Sequence, residues 1–150
     1  MIVGGSASGA AAVLGNAFIG AGALRWFRGL AGPRWQLPIP GFVAIGGAYY
    51  IVLGYVLARS VDRRDRRSTA CALSVLVANE AWNVALFGRR STRNGLLGAL
   101  AFLVPLGGLQ LSVWRDPQSR YALLPYTGFV LLYDLPWIYR LWRLNLELAG

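Results

Sequence analysis

The chain is 150 residues long, 56% hydrophobic and only 14% charged, which excludes a soluble domain of this size, because such a surface needs more charge. Its net charge of +9 is the balance of 15 basic residues, all arginine, against six acidic ones; the arginines are set in short segments between apolar runs, a placement that fits membrane flanks and argues against a nucleic-acid partner. One cysteine, Cys71, and no histidine exclude an internal disulfide, a zinc site, a His-ligated haem and a Ser-His-Asp triad.

Five apolar segments can be drawn, at about 2–24, 41–58, 69–87, 95–113 and 123–142. They predict a single all-α domain, an integral membrane bundle of five transmembrane helices. The first carries no charge and spaces Gly5 from Gly9 and Ala11 from Gly15 by four residues. Small residues at that spacing let helix backbones approach closely in lipid, either inside the bundle or across a homodimer. No basic stretch precedes it, so Ile2 onward is expected to be a first span and not a cleaved signal peptide.

Residues 25–40, RWFRGLAGPRWQLPIP, interrupt the pattern with prolines and glycines that argue against a continuous helix. Trp26, Phe27 and Trp35 alternate with Arg25, Arg28 and Arg34, as at a headgroup interface. Such a long connection is either an interfacial anchor or a lid over a pocket. In the second segment Phe42, Gly46, Tyr49, Leu53 and Val56 share one face, with Tyr50 beside them. Residues 59–68, RSVDRRDRRS, are too charged to enter lipid and are expected to form a solvated turn.

The third segment departs from a plain apolar span. Between Leu73 and Gly88 it carries Asn79, Glu80, Trp82 and Asn83, and helical spacing places Asn83 between Asn79 and Glu80 with the indole at their edge. Amides and a carboxylate are costly in hydrocarbon, so this sector is expected to face a protein interior or a cavity. It is the candidate binding site. Pro105 predicts a kink in the fourth segment, and Asp116-Pro117 marks a turn after it. In the fifth, Tyr126, Phe129, Tyr133, Trp137 and Arg140 fall on one stripe about 80° wide. Asp134 sits beside that stripe, and Pro136 is expected to bend the helix. Trp142, Arg143 and Asn145 are expected at the membrane interface. The arginines divide almost evenly between the two sides, so charge does not fix the orientation.

Taken in order, these motifs resemble the TspO/MBR family, the tryptophan-rich sensory proteins that include the translocator protein, or peripheral benzodiazepine receptor. Asn79-x-x-Trp82 followed by Leu86-Phe87-Gly88 is similar to the family's N-x-x-W…F-F-G. Pro33-x-Trp35 ahead of Phe42 and Tyr50, then Pro125-Tyr126 and a terminal Arg143-Leu144-Asn145, support it. The resemblance covers about Trp26 to Asn145 and extends to the first span. It implies a five-helix bundle, often dimeric, with a pocket under the first loop for tetrapyrroles such as protoporphyrin IX and haem, or for sterols in some members. By the same resemblance Trp35, Phe42, Tyr50, Asn79, Trp82, Tyr126 and Phe129 are ligand-binding positions. Leu135, Tyr139 and Arg143 fit a loose sterol motif of little specificity.

Several positions depart from the family pattern. Trp35-Gln36-Leu37-Pro38 replaces W-x-P-P, Gly46 replaces an aromatic, and Val75 replaces a glutamine. Tyr133 stands where many members carry a small residue and is expected to narrow the pocket, while Glu80 and Asp134 add intramembrane acids.

The residue chemistry suits a flat aromatic ligand. Aromatic faces stack on a macrocycle, Asn79 and Asn83 offer donors and acceptors, and Arg28 and Arg34 are placed to pair with propionates. Without histidine, metal-free porphyrin is expected to bind at least as tightly as haem, and no resident cofactor is required. No nucleophile or metal set suggests an enzyme. Glu80 and Asp134 also admit a small proton-coupled transporter, since intramembrane carboxyls serve such relays. A third reading is a structural membrane subunit that binds a partner protein. Membrane lipid is the expected surrounding and a prokaryotic cell membrane the expected location.

Overall fold

A computed structural model describes residues 20–146. Most of the first expected span, with Gly5, Gly9, Ala11 and Gly15, lies outside the described residues. The elements are α1 (Ala21–Arg28), α2 (Ile39–Asp62), α3 (Arg66–Asn83) continued by a π-helical turn (Val84–Gly88), and α4 (Thr92–Ser112). A final rod comprises α5 (Pro117–Phe129), a second π-helical turn (Val130–Asp134) and α6 (Leu135–Leu144). No strand occurs among the described residues, and the fold is all-α. Three helical stretches of 24, 23 and 21 residues are long and apolar enough to cross a membrane: Ile39–Asp62, Arg66–Gly88 and Thr92–Ser112.

The connections are shorter than the sequence suggests. Helix α1 runs through Arg25 to Arg28, where cations face the carbonyl end of the helix dipole, and stops at Gly29. The irregular connection is therefore 29–38 and not 25–40. Pro38 is extended, and α2 starts at Ile39 because Pro40 lies in the first turn, where a missing N–H costs nothing.

The charged stretch 59–68 is helical on both sides, leaving only 63–65 as a turn. Two causes explain this. Long arginine side chains keep their heads in water while their backbone stays helical, and Asp65 caps α3 by accepting from the Ser68 N–H at 3.0 Å and the Ser68 hydroxyl at 2.8 Å. Arg64 and Arg90 adopt left-handed backbone, with φ of 54° and 47°. Each follows a helix end closed by a six-to-one bond, Asp65 N–H to Ser60 O at 2.9 Å and Ser91 N–H to Leu86 O at 3.1 Å.

Helix α3 packs most extensively on α4, α2 lies against α3 and α5, and α4 also meets α6. The central core is aliphatic, built on Leu53, Val56, Val75, Leu106 and Leu109. A second cluster, at the end carrying 29–38, is aromatic: Phe27, Trp137 and partly buried Phe42, Phe87 and Tyr133 surround Leu86, Ile138 and Leu141. Gly95 allows the close approach there, since a Cβ would lie 2.7 Å from Leu86 Cδ1 and 3.1 Å from Ile138 Cδ1. Helix α4 runs unbroken through Pro105. At Pro136 the rod forms a π turn just upstream, which relieves the clash between the proline ring and the carbonyl four residues back.

Candidate functional site

The polar sector of α3 is organised by Glu80. Tyr50 of α2 donates its hydroxyl to Glu80 Oε1 at 2.6 Å. Asn79 Nδ2 donates to Tyr50 Oη at 3.3 Å and to Glu80 Oε1 at 3.4 Å, and Asn83 Nδ2 reaches Glu80 Oε2 at 3.5 Å. Neither Glu80 nor Asp134 has a cationic partner among the described residues. The amide–carboxylate arrangement satisfies groups that hydrocarbon would leave unpaired.

Beside this network lies a cavity of about 30 Å³ lined by Asn79, Trp82, Ala99, Phe102, Tyr126, Val130, Asp134 and Leu135. Three of the positions carried over from the family, Asn79, Trp82 and Tyr126, thus meet at one small, partly open chamber between α3, α4 and the last rod. Trp82 is fixed by its indole N–H, which donates to Gly95 O at 3.0 Å. Tyr126 is set by its ring, 4.7 Å from that of Tyr49.

Trp35, Phe42, Phe129 and Tyr133 gather elsewhere, under the loop. Tyr133 stacks on Phe129, with centroids 5.0 Å apart and planes at 19°, and meets the half-exposed Trp35 edge-on at 5.3 Å. Its hydroxyl accepts the Leu37 N–H at 2.7 Å and donates to Trp35 O at 3.5 Å. Phe42 packs on Trp137 at 4.9 Å, and the Trp137 indole N–H donates to Gln36 Oε1 at 3.0 Å. Asn145 clamps the start of the loop: Oδ1 accepts the Ala31 N–H at 3.0 Å, and Nδ2 donates to Ala31 O at 2.9 Å and Leu141 O at 2.7 Å. The expected site is thus divided between a small chamber and an aromatic seam beneath a clamped loop.

The TspO/MBR family model matches residues 4–135. The chain belongs to the TspO/MBR family. It is an integral membrane protein, an all-α bundle with apolar helices long enough to span. No curated protein matches the sequence. The TspO/MBR match takes in the first apolar segment and ends at Leu135, ahead of Tyr139 and Arg143. Of the loose sterol motif, Leu135 lines the chamber, whereas Tyr139 and Arg143 are exposed, so these three do not converge. Arg28 and Arg34 are exposed at the loop end, away from the chamber.

Several contributors escaped sequence reading. Asn145, expected at the interface, is buried and holds the loop. Gln36 acts through Trp137, and Ala99, Phe102 and Val130 complete the chamber. No local pattern signals these roles, because each is a contact between segments far apart in sequence.

At the opposite end of this TspO/MBR bundle a compact ion cluster joins α2 to the start of α5. Arg59 donates to Asp116 through Nε at 2.7 Å and Nη2 at 2.9 Å, Arg63 adds a bond at 3.4 Å, and Ser119 donates its hydroxyl at 2.6 Å. The hydrogen bond from Arg59, helped by Ser119 and the nearby positive charges, holds the Asp116 carboxyl well below the ordinary range despite its burial. Asp65 is also lowered, first by the backbone N–H of Ser68.

Proposed function

We propose that this TspO/MBR protein binds a flat hydrophobic tetrapyrrole, protoporphyrin IX or haem, and serves as its sensor or transporter without catalysing a reaction. The observation that carries this reading is the meeting of Asn79, Trp82 and Tyr126 at one chamber next to an aromatic seam covered by a loop. A cavity of about 30 Å³ is far below the roughly 300–1,000 Å³ of small-molecule pockets, so binding requires the bundle to open. The opening route is through the loop, whose contacts are neutral hydrogen bonds and ring edges. Phe42, Phe129 and Tyr133 would then separate around the macrocycle, with Tyr50 and Asn83 supporting the polar wall and arginines at the loop end pairing with propionates. On this reading the protein has five spans in a prokaryotic cell membrane, contacts lipid, forms a homodimer, needs no resident cofactor and has no nucleic-acid partner.

The test is quenching of intrinsic fluorescence in detergent by protoporphyrin IX, comparing wild type with Asn79→Ala and Trp82→Phe. Saturable micromolar quenching weakened about tenfold by Asn79→Ala supports the reading. A folded protein that shows no saturable quenching refutes it, and the proton-coupled reading of Glu80 and Asp134 then takes its place.

A further inference from the structure

The arginines at the Asp116 end of the bundle differ in what they hold. Arg59 and Arg63 pair with Asp116. Arg120 lies over the rings of Trp114 and Tyr121, 5.1 and 4.6 Å from their centroids. Arg64 and Arg66 instead line an open groove of about 430 Å³ at the junction of α2 and α3, together with Val61, Thr69, Ala70 and Leu73. Neither arginine has a carboxylate partner among the described residues, and neither Asp62 nor Asp65 lines the groove. Asp65 is already engaged as the cap of α3. Arg64 holds its place against a backbone cost, since its left-handed conformation suits glycine better. Arg90, the other arginine with such backbone, packs within the fold, where a Cβ on Gly22 would meet its Nη2 at 2.8 Å. Arg64 is an exposed lining residue of the groove.

An apolar strip continues from the groove towards the middle of the span. Arg66, Ala70, Leu73 and Val77 fall within about 60° of one another on α3, and all four are exposed. From Arg66 to Val77 the strip runs about 16 Å, close to half of the roughly 30 Å hydrocarbon core and so the depth of one leaflet. A cation pair above an exposed apolar strip matches the two ends of a lipid. We propose that this groove binds one phospholipid of net negative charge, its phosphodiester paired with Arg64 and Arg66 and one acyl chain lying along Ala70, Leu73 and Val77. Guanidinium N–H groups pair with phosphate oxygens through charge-assisted bonds, and basic pockets between spans select anionic headgroups. The Thr69 hydroxyl donates to Asp65 O at 2.8 Å, which leaves headgroup recognition to the two arginines. A zwitterionic headgroup is disfavoured because it brings its own cation to them.

The test uses the full chain in non-ionic detergent, titrated with dioleoyl phosphatidylglycerol or dioleoyl phosphatidylcholine. Native mass spectrometry reads the fraction of protein that retains one lipid. No tetrapyrrole is present, so the outcome is independent of the ligand reading. Wild type should retain phosphatidylglycerol about tenfold more readily than phosphatidylcholine. Arg64→Gln and Arg66→Gln should each lower that retention about fivefold and together remove the preference. Arg115→Gln removes the same charge from the same end but outside the groove, and should change retention by less than about twofold. Millimolar glycerol 3-phosphate should not displace the lipid, because it lacks the chain. Equal retention of the two lipids overturns the proposal. So does a loss in Arg115→Gln as large as that in Arg64→Gln, which would make the attraction a property of the whole end. Displacement by glycerol 3-phosphate also overturns it, by reducing the groove to a site for free anions.

Discussion

At one end of the bundle Asp116 accepts from Arg59, Arg63 and Ser119, and the neighbouring turns are short. At the other end, residues 29–38 are held by neutral bonds from Asn145, Trp137 and Tyr133 to segments about a hundred residues away in sequence. The first arrangement uses charge-assisted bonds converging on one carboxylate, which are roughly twice as strong as neutral ones. The second spreads neutral bonds along a loop, each worth only about 1 kcal/mol. The bundle thus has a charged, converging cluster at one end and a neutral, distributed set of bonds at the other.

The largest expected effect is at the base. Asp116→Ala should lower stability by about 3 kcal/mol, because it leaves Arg59 and Ser119 without their shared acceptor. Denaturant titration in micelles measures this, and a loss below about 0.5 kcal/mol would mean that the cluster is solvated rather than structural. Amide hydrogen exchange in the loop should not change, and that would separate the two ends.

Asn145→Ala should follow at about 2 kcal/mol, since it removes three bonds, one of them to its own helix at Leu141. Limited proteolysis within 29–38 should accelerate sharply. A loop that remains resistant would show that the aromatic seam alone holds it. Tyr133→Phe should cost about 1 kcal/mol and affect Leu37 more than Ala31, because the ring stacking survives and only the hydroxyl is lost.

Acid distinguishes the ends by another route. The folded Asp116 carboxyl titrates below the unfolded value of about 3.9, so its contribution is complete above that value and fades as pH falls through the lower folded one. The difference in melting temperature between wild type and Asp116→Asn should therefore be flat from pH 7 to about 5 and narrow below about 4. A constant difference down to pH 3 would refute the assignment.

The smallest effect is a gain. Arg64→Gly and Arg90→Gly should each stabilise by about 0.5 kcal/mol, because both positions hold left-handed backbone that glycine adopts without strain. Destabilisation instead would reveal a side-chain contact that outweighs the backbone cost.

How far the sequence reaches differs between fold and site. The spans were legible because hydropathy and length are local properties: the apolar runs around Tyr49, Val75 and Leu106 became α2, α3 and α4. The polar sector at Asn79, Glu80 and Asn83 was legible for the same reason, since helical spacing alone groups those residues. Helix ends were less so, because capping by Asp65 and arginine side chains that keep their heads in water kept the charged stretch 59–68 helical where composition suggested a turn.

The sequence by itself therefore determined that this protein is an all-α membrane bundle of the TspO/MBR family with an acid and two amides on one helix face. Only the tertiary structure decided that Glu80 takes its bonds from Tyr50 and the amides, that Asp134 lines a water-sized chamber, and that Tyr133 fastens the loop. The reason is geometric. Periodicity fixes which residues share a face, whereas partners depend on where distant helices touch, and the π turn before Pro136 re-aims Tyr133 and Asp134 in a way that α-helical spacing does not predict.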